Sequence, residues 1–347
     1  MKQKMALFLI LVLVFSLSAC GNPQTGGGGE VLPNKSAEEL IAEGNYLDAY
    51  KVLLVKDDAA SKAELEKFIF LPQQTVETDT YYDRSSTHAY TWDAEGRPLK
   101  VSSSSGQNTA EVTYTYEDGK YSYFRNGTLS EEVILNDAGQ VIRSNYHRSD
   151  GEINVTLYEY DDQGRLTKTT ETIPGNDTPT IEVYTYGSNG KLASKAYFYG
   201  EEASDSMTYT YNADGKLVLL HENIPSDGNQ YDTVYTYNDK GQLASESEDK
   251  TDRNGQKTHR RDKTYTYDET GRVISSTNVY VEDNYTYQYQ WTYDNLGNLT
   301  KQVYTRGASP ESMRESIVEH TGYQVFYLPD PHVVLDQVLE SFQPELD

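Results

Sequence analysis

The chain has 347 residues, 36% of them hydrophobic, and sets 30 Lys and Arg against 54 Asp and Glu, a formal charge of −24. That length suits roughly one to three domains, and that charge excludes phosphate backbones and anionic headgroups as preferred partners, so no nucleic-acid binding is expected. Tyrosine is in excess, 31 against 8 Phe and 2 Trp, so most aromatic rings carry a hydroxyl and suit half-wet surfaces.

Residues 1–19 read as an export signal. Lys2 and Lys4 precede an unbroken apolar run from Ala6 to Phe15, which is shorter than the about 20 residues a bilayer-spanning helix needs. The segment closes on Leu17, Ser18, Ala19, Cys20 and Gly21, which resembles the lipobox of bacterial lipoproteins. The resemblance implies that Cys20 is acylated (diacylglycerol and palmitate), becomes the new N-terminus, and anchors the protein to the membrane in the extracytoplasmic cell envelope. Cys20 is the sole cysteine, so no intrachain disulfide is available. Residues 20–35, with Gly26 to Gly29 at their centre, read as a tether with a reach of about 20 Å.

Residues 36–72 read as a helical cap. Ser36 and Glu39 form a capping box, and Tyr46, Ala49, Tyr50, Leu53 and Leu54 follow at helical spacing. A further helix is expected from Asp57 or Asp58, carrying Leu65, Phe68 and Ile69 and ending at Pro72. The run from Leu40 through Gly44 and Tyr46 to Leu53 resembles part of one tetratricopeptide unit. A single unit has no neighbour on which to bury its face, so a capping role is expected rather than a peptide groove.

Residues 73–328 are built on one recurring phrase. It reads Tyr158-Glu-Tyr160-Asp161 followed by Gly164, Arg165 and Leu166, and recurs around Gly190, Gly215, Gly241 and Gly271. Variants centre on Gly96, Gly119, Gly139 and Gly297, nine copies in all at intervals of 20 to 30 residues. Tyr-x-Tyr places two rings on one face of a strand, the Asp or Asn starts a turn, and the glycine supplies the positive φ that the turn needs. Each unit is thus a β-hairpin plus a link, and the array is an antiparallel meander.

The phrase closely resembles the YD repeat of the RHS family, across roughly residues 80–305. The resemblance implies an all-β fold: a long antiparallel meander of hairpins coiled into a shell-like sheet that encloses a cavity, which many members use to hold a toxin. Nine hairpins give about 18 strands and a sheet near 85 Å wide. A sheet that wide curls, and a partly closed shell with helices protecting its edges is expected. No toxin domain is expected in the roughly 40 residues after the array. Residues 329–347, with Val334, Leu335, Val338, Leu339 and Phe342, read as a C-terminal amphipathic helix.

Signals for chemistry are sparse. The six histidines are scattered without metal-ligand spacing, and no nucleophile elbow, P-loop or dinucleotide fingerprint is present. No enzyme activity, cofactor or metal is expected. Asp161 and Asp162, Asn212 and Asp214, and Asn238 and Asp239 could offer oxygens to Ca²⁺, but turn geometry accounts for them better. Tyr285, Tyr287, Tyr289, Trp291 and Tyr293 fill one face of a single strand and are the candidate ligand-stacking residues; the competing reading is that such rings pack neighbouring hairpins together. The expected function is binding or adhesion to glycans or proteins outside the cell. The alternatives are an envelope polysaccharide hydrolase with carboxylates in the shell, or a structural, toxin-associated shell without a ligand.

Overall fold

The computed structural model describes residues 32–56, 58–308 and 314–328. The signal segment, Cys20, most of the tether and the expected C-terminal helix lie outside the described residues. Three short helices come first: α1 (Ala37–Ala42), α2 (Tyr46–Leu54) and α3 (Ala59–Leu65). They are followed by β1 (Phe68–Leu71), β2 (Gln74–Asp79), β3 (Arg84–Trp92), β4 (Pro98–Ser105), β5 (Asn108–Glu117), β6 (Lys120–Arg125), β7 (Thr128–Leu135) and β8 (Val141–His147). The chain continues through β9 (Ile153–Tyr160), β10 (Leu166–Thr172), β11 (Thr180–Tyr186), β12 (Leu192–Tyr199), β13 (Glu202–Tyr211), β14 (Leu217–Ile224) and β15 (Asn229–Tyr237). It ends with β16 (Leu243–Thr251), β17 (Lys257–Tyr267), β18 (Val273–Tyr280), β19 (Tyr285–Tyr293), β20 (Leu299–Gly307), β21 (Arg314–Thr321) and β22 (Gln324–Tyr327).

From β2 to β21 every strand pairs antiparallel with the next, and β21 pairs back onto β2 with Gln74 opposite Thr321 and Asp79 opposite Ser316. The result is a closed barrel of 20 strands. This corrects two expectations. The sheet is closed rather than an open or partly closed shell, and its edges vanish by mutual pairing rather than under helices. The strand count exceeds 18 because β2 and β21, which carry no complete phrase, form the closing seam. Twenty strands at about 4.8 Å, tilted by about 40°, give a radius of about 20 Å.

Closure makes one face convex and the other concave, and side chains converge on the concave face. The phrase tyrosines occupy the more buried face, whereas Thr185, Thr236, Thr266 and Thr292 between them are exposed on the other. The tyrosine face is therefore assigned to the lumen.

Each part of the phrase makes its own contacts. At the Asp268 turn, one carboxylate oxygen accepts the backbone N–H of Thr270 and Arg272 while the other takes the Arg272 guanidinium at 2.8 Å; Gly271 closes the turn at φ +93°. The second tyrosine of a phrase then reaches back one repeat and donates its hydroxyl to the carbonyl just past the previous turn. Tyr160 bonds Val141, Tyr186 bonds Leu166, Tyr211 bonds Leu192, Tyr237 bonds Leu217, Tyr267 bonds Leu243 and Tyr293 bonds Val273, all at 2.7–3.0 Å. Trp92 Nε1 does the same to Pro72 at 3.1 Å, and Tyr323 to Leu299. The cation after the glycine covers the next repeat's ring, as Arg165 does with Tyr186 at 4.4 Å and Arg272 with Tyr293 at 5.0 Å. Repeat is thus tied to repeat around the barrel.

The nine phrase turns lie at one end, and this end is capped. β1 and β22 continue the β2–β21 ribbon past a bend at Pro72 and Gly322 and pair with each other. Leu71, Phe326 and Leu328 pack on Trp92 and Tyr90. Ala37, Leu40, Ala49, Val52, Leu53 and Leu65 of the helices join Phe68 in a second apolar cluster, and Tyr50 of α2 donates to Leu296 in the β19–β20 turn at 3.3 Å. The Ser36–Glu39 capping box forms as expected, and Asp58 caps α3. The third helix stops at Leu65, however. Phe68 and Ile69 are strand residues of β1, because pairing with Tyr327 and Phe326 satisfies their backbone where a helix would leave β22 unpartnered.

Candidate functional site

The opposite end, where the link turns lie, is the mouth of the barrel. The β18–β19 turn runs from Val281 to Asn284, which takes φ +47°, a conformation Asn tolerates better than most residues. The turn holds Asp283 exposed above Tyr280, Tyr285 and Tyr287, and these four residues line a cleft of about 380 Å³.

The candidate stacking strand is divided by depth. Near the capped end, Trp291 is 3% exposed, joins Tyr265, Val273 and Leu299 in an apolar cluster, and donates its Nε1–H to Gln302 at 2.8 Å. Tyr293 packs against the same cluster and makes the repeat bond to Val273. Tyr289 lies between the two regimes, stacked on Trp291 at 5.6 Å and tilted against Tyr304 at 4.8 Å. Towards the mouth, Tyr287 meets Tyr285 at 5.0 Å, Tyr280 at 5.6 Å and Tyr304 at 6.0 Å. Five candidates therefore serve two purposes: Trp291 and Tyr293 are packing residues, while Tyr285 and Tyr287 line the cleft.

The cleft holds partners that sequence reasoning missed. Tyr280, which lines the cleft, and Tyr304, which packs on Tyr287 beside it, belong to neighbouring strands, and only the register, with Tyr280 opposite Tyr285 and Tyr289 opposite Tyr304, brings them together. Asp283 sits in a link turn outside the repeating phrase. Burial, more than any neighbouring charge, raises the phenols of Tyr287 and Tyr304, which stay protonated donors at neutral pH.

Deeper in the lumen the carboxylates are tied to cations. Glu246 and Glu248 both approach Arg261, at 3.6 and 3.1 Å, and Tyr265 donates to Glu246. Lys195, 2% exposed, lies 3.4 Å from Glu182 and over the rings of Tyr184 and Tyr197, and burial depresses its pKa. Turn carboxylates serve turns, as Asp161 Oδ1 accepts the N–H of Gln163 and Arg165. The histidines are apart: His320 meets Thr75 at 2.9 Å, His88 meets Ser103, His221 meets Asp232, and His259 bridges Asp249 and Asp262. His332 lies outside the described residues.

No family model matches the chain, and no curated protein matches it. Among solved structures it is similar to a chain of the Photorhabdus luminescens Tc holotoxin pore, at 19% identity and a TM-score of 0.33, covering 71% of this chain and 15% of that one. It is similar to TcdB2-TccC3 at 16% identity and a TM-score of 0.32, covering 71% and 16%. A porin-like protein from Bacteroides uniformis matches at 12% identity and a TM-score of 0.33, covering 73% of this chain and 97% of that one. The chain thus spans less than a fifth of the toxin chains it resembles.

Proposed function

We propose that this chain is an RHS/YD-repeat surface lipoprotein, held to the envelope membrane through Cys20, that binds glycans outside the cell without chemically altering them. The observation that supports this reading is a surplus of rings at the mouth. The repeat needs its second tyrosine to tie hairpins together, and those hydroxyls are committed to backbone carbonyls. Tyr280, Tyr285, Tyr287 and Tyr304 stand outside that scheme, gather within 5.0–6.0 Å of Tyr287, and three of them open onto a cleft with a carboxylate at its lip. A flat apolar ring flanked by an acceptor suits a sugar, whose C–H face stacks and whose hydroxyls donate.

Binding of the detergent-solubilised full chain to an array of envelope and host glycans tests the proposal. A subset of oligosaccharides should bind, and Tyr287→Ala should weaken them by roughly fivefold, the loss of about 1 kcal/mol of stacking. An array silent for the folded wild-type chain would overturn it.

A further inference from the structure

Beside the cleft the barrel breaks an electrostatic rule. Arg306 of β20 and Arg314 of β21 are directly opposite each other in the register. Arg306 is in turn opposite Tyr287, so both arginines share the tyrosine face. Like charges directly opposite on one face are destabilising. The usual remedy is a carboxylate between them, and a chain with 54 Asp and Glu has no shortage. Among the described residues, though, neither arginine stands in an ion pair.

Arg314 is held by aromatic rings instead, and Arg306 by the Tyr304 hydroxyl. Arg314 lies over Tyr81 at 4.0 Å and over Tyr82 at 5.9 Å, and its Nη1 donates to the Tyr82 hydroxyl at 3.4 Å. Arg306 faces Tyr304, Tyr285 and Tyr287, and Tyr304 is the main cause of a still higher guanidinium pKa. A third cation, Arg84 of β3, lies 5.2 Å from the Tyr82 ring. The nearest acid in the register, Asp79, is engaged locally, since its Oδ1 accepts the N–H of Tyr81 and of Tyr82, both at 3.0 Å. Neutral phenols hold these guanidiniums without neutralising them: Arg314 spends one N–H on Tyr82 and Arg306 bonds Tyr304, and the remaining N–H groups can serve an anion.

We infer that the Arg306–Arg314 pair is an anion subsite adjoining the aromatic cleft, and that the glycan it takes is acidic, bearing a carboxylate, sulfate or phosphate ester next to the ring that stacks on Tyr287. This inference rests on the glycan-binding reading and narrows it. The acid group accepts from both guanidinium groups and offsets the repulsion between them. In a molecule of −24 charge such a pair also selects against anions that cannot stack, since the wider field repels them.

The experiment compares matched ligands on the full chain by calorimetry at low and high salt: an oligogalacturonate, its neutral methyl ester, a sulfated oligosaccharide and inorganic phosphate. At least one acidic oligosaccharide should bind about tenfold more tightly than the neutral ester at low salt, with the gap shrinking at high salt. The ratio should close in Arg306→Gln/Arg314→Gln, whereas Tyr287→Ala should lower acidic and neutral binding together. Which acid is preferred distinguishes carboxylate from sulfate. Equal affinity for acid and ester would overturn the subsite and leave the glycan reading standing; no binding of any oligosaccharide would remove both. Phosphate competing as well as the oligosaccharides would also overturn it, since the site would then take a simple ion. A double-mutant cycle in urea unfolding keeps the premise testable without any ligand: Arg306→Gln and Arg314→Gln, each of which also loses its own tyrosine contacts, should show a destabilising coupling between the two arginines, and a zero or favourable coupling would mean that they do not repel.

Discussion

His320 shows how one side chain couples the closing seam to solution conditions. It is 6% exposed on β21, bonded to Thr75 of β2, and its pKa is lowered from 6.5 because burial penalises the imidazolium. The unfolded chain therefore binds a proton more readily than the native one, so stability is full above about pH 6.5 and declines as the pH falls from there towards the lower native pKa. Melting curves across pH 7.5 to 4.5 should show that decline, with a shallower slope for His320→Gln. A histidine variant with an unchanged slope would place the acid sensitivity elsewhere, for instance among the turn aspartates whose pKa values are lowered by hydrogen bonds.

The hairpin is where sequence and structure agree most closely. The turn and the strand faces of the phrase are legible because they are set locally: Asp268 and Gly271 make their own turn, and Leu and Tyr sit on one face by strand parity. The tie between hairpins is not, since nothing in Tyr237 says that its hydroxyl ends on Leu217 one repeat away. Tyr237→Phe should cost about 1 kcal/mol in urea unfolding. Tyr285→Phe, whose ring faces the cleft, should cost much less; equal losses would refute the separation of tying rings from binding rings. Phe68 to Leu71 mislead for a related reason. Four consecutive apolar residues have no period that separates helix from strand, and the deciding partner, β22, lies more than 250 residues on. At the site, the aromatic alternation of β19 is plain, but its division into packing and cleft residues depends on which end is capped, and the cross-strand partners Tyr280, Tyr304 and Arg314 follow only from pairing.

For the molecule as a whole, closure is the property that no segment carries. β2 and β21 meet across some 240 residues of sequence, a contact whose loop entropy grows only slowly with length but which must await the strands between. The barrel should therefore unfold with strong cooperativity, and it should be hollow. Small-angle scattering should give a radius of gyration above the about 20 Å of a solid globule of this length, with the pair-distance maximum displaced towards the barrel diameter. A value at or below 20 Å would mean a collapsed lumen.

The chain enters the barrel at β2 and leaves it at β21, and both of those strands meet the cap at the same rim, with α1 to α3 before them and β22 after. Anything that grips the polypeptide outside the barrel, from either side, therefore takes hold at the rim that carries the cap. The cleft and its arginines lie a full strand length away, about 30 Å for the nine residues of β19. The molecule is built like a cup with its handle on the bottom: fastened to any surface by its leading segment, it would hold its rim outward, and a long polymer could cross that rim without touching the support.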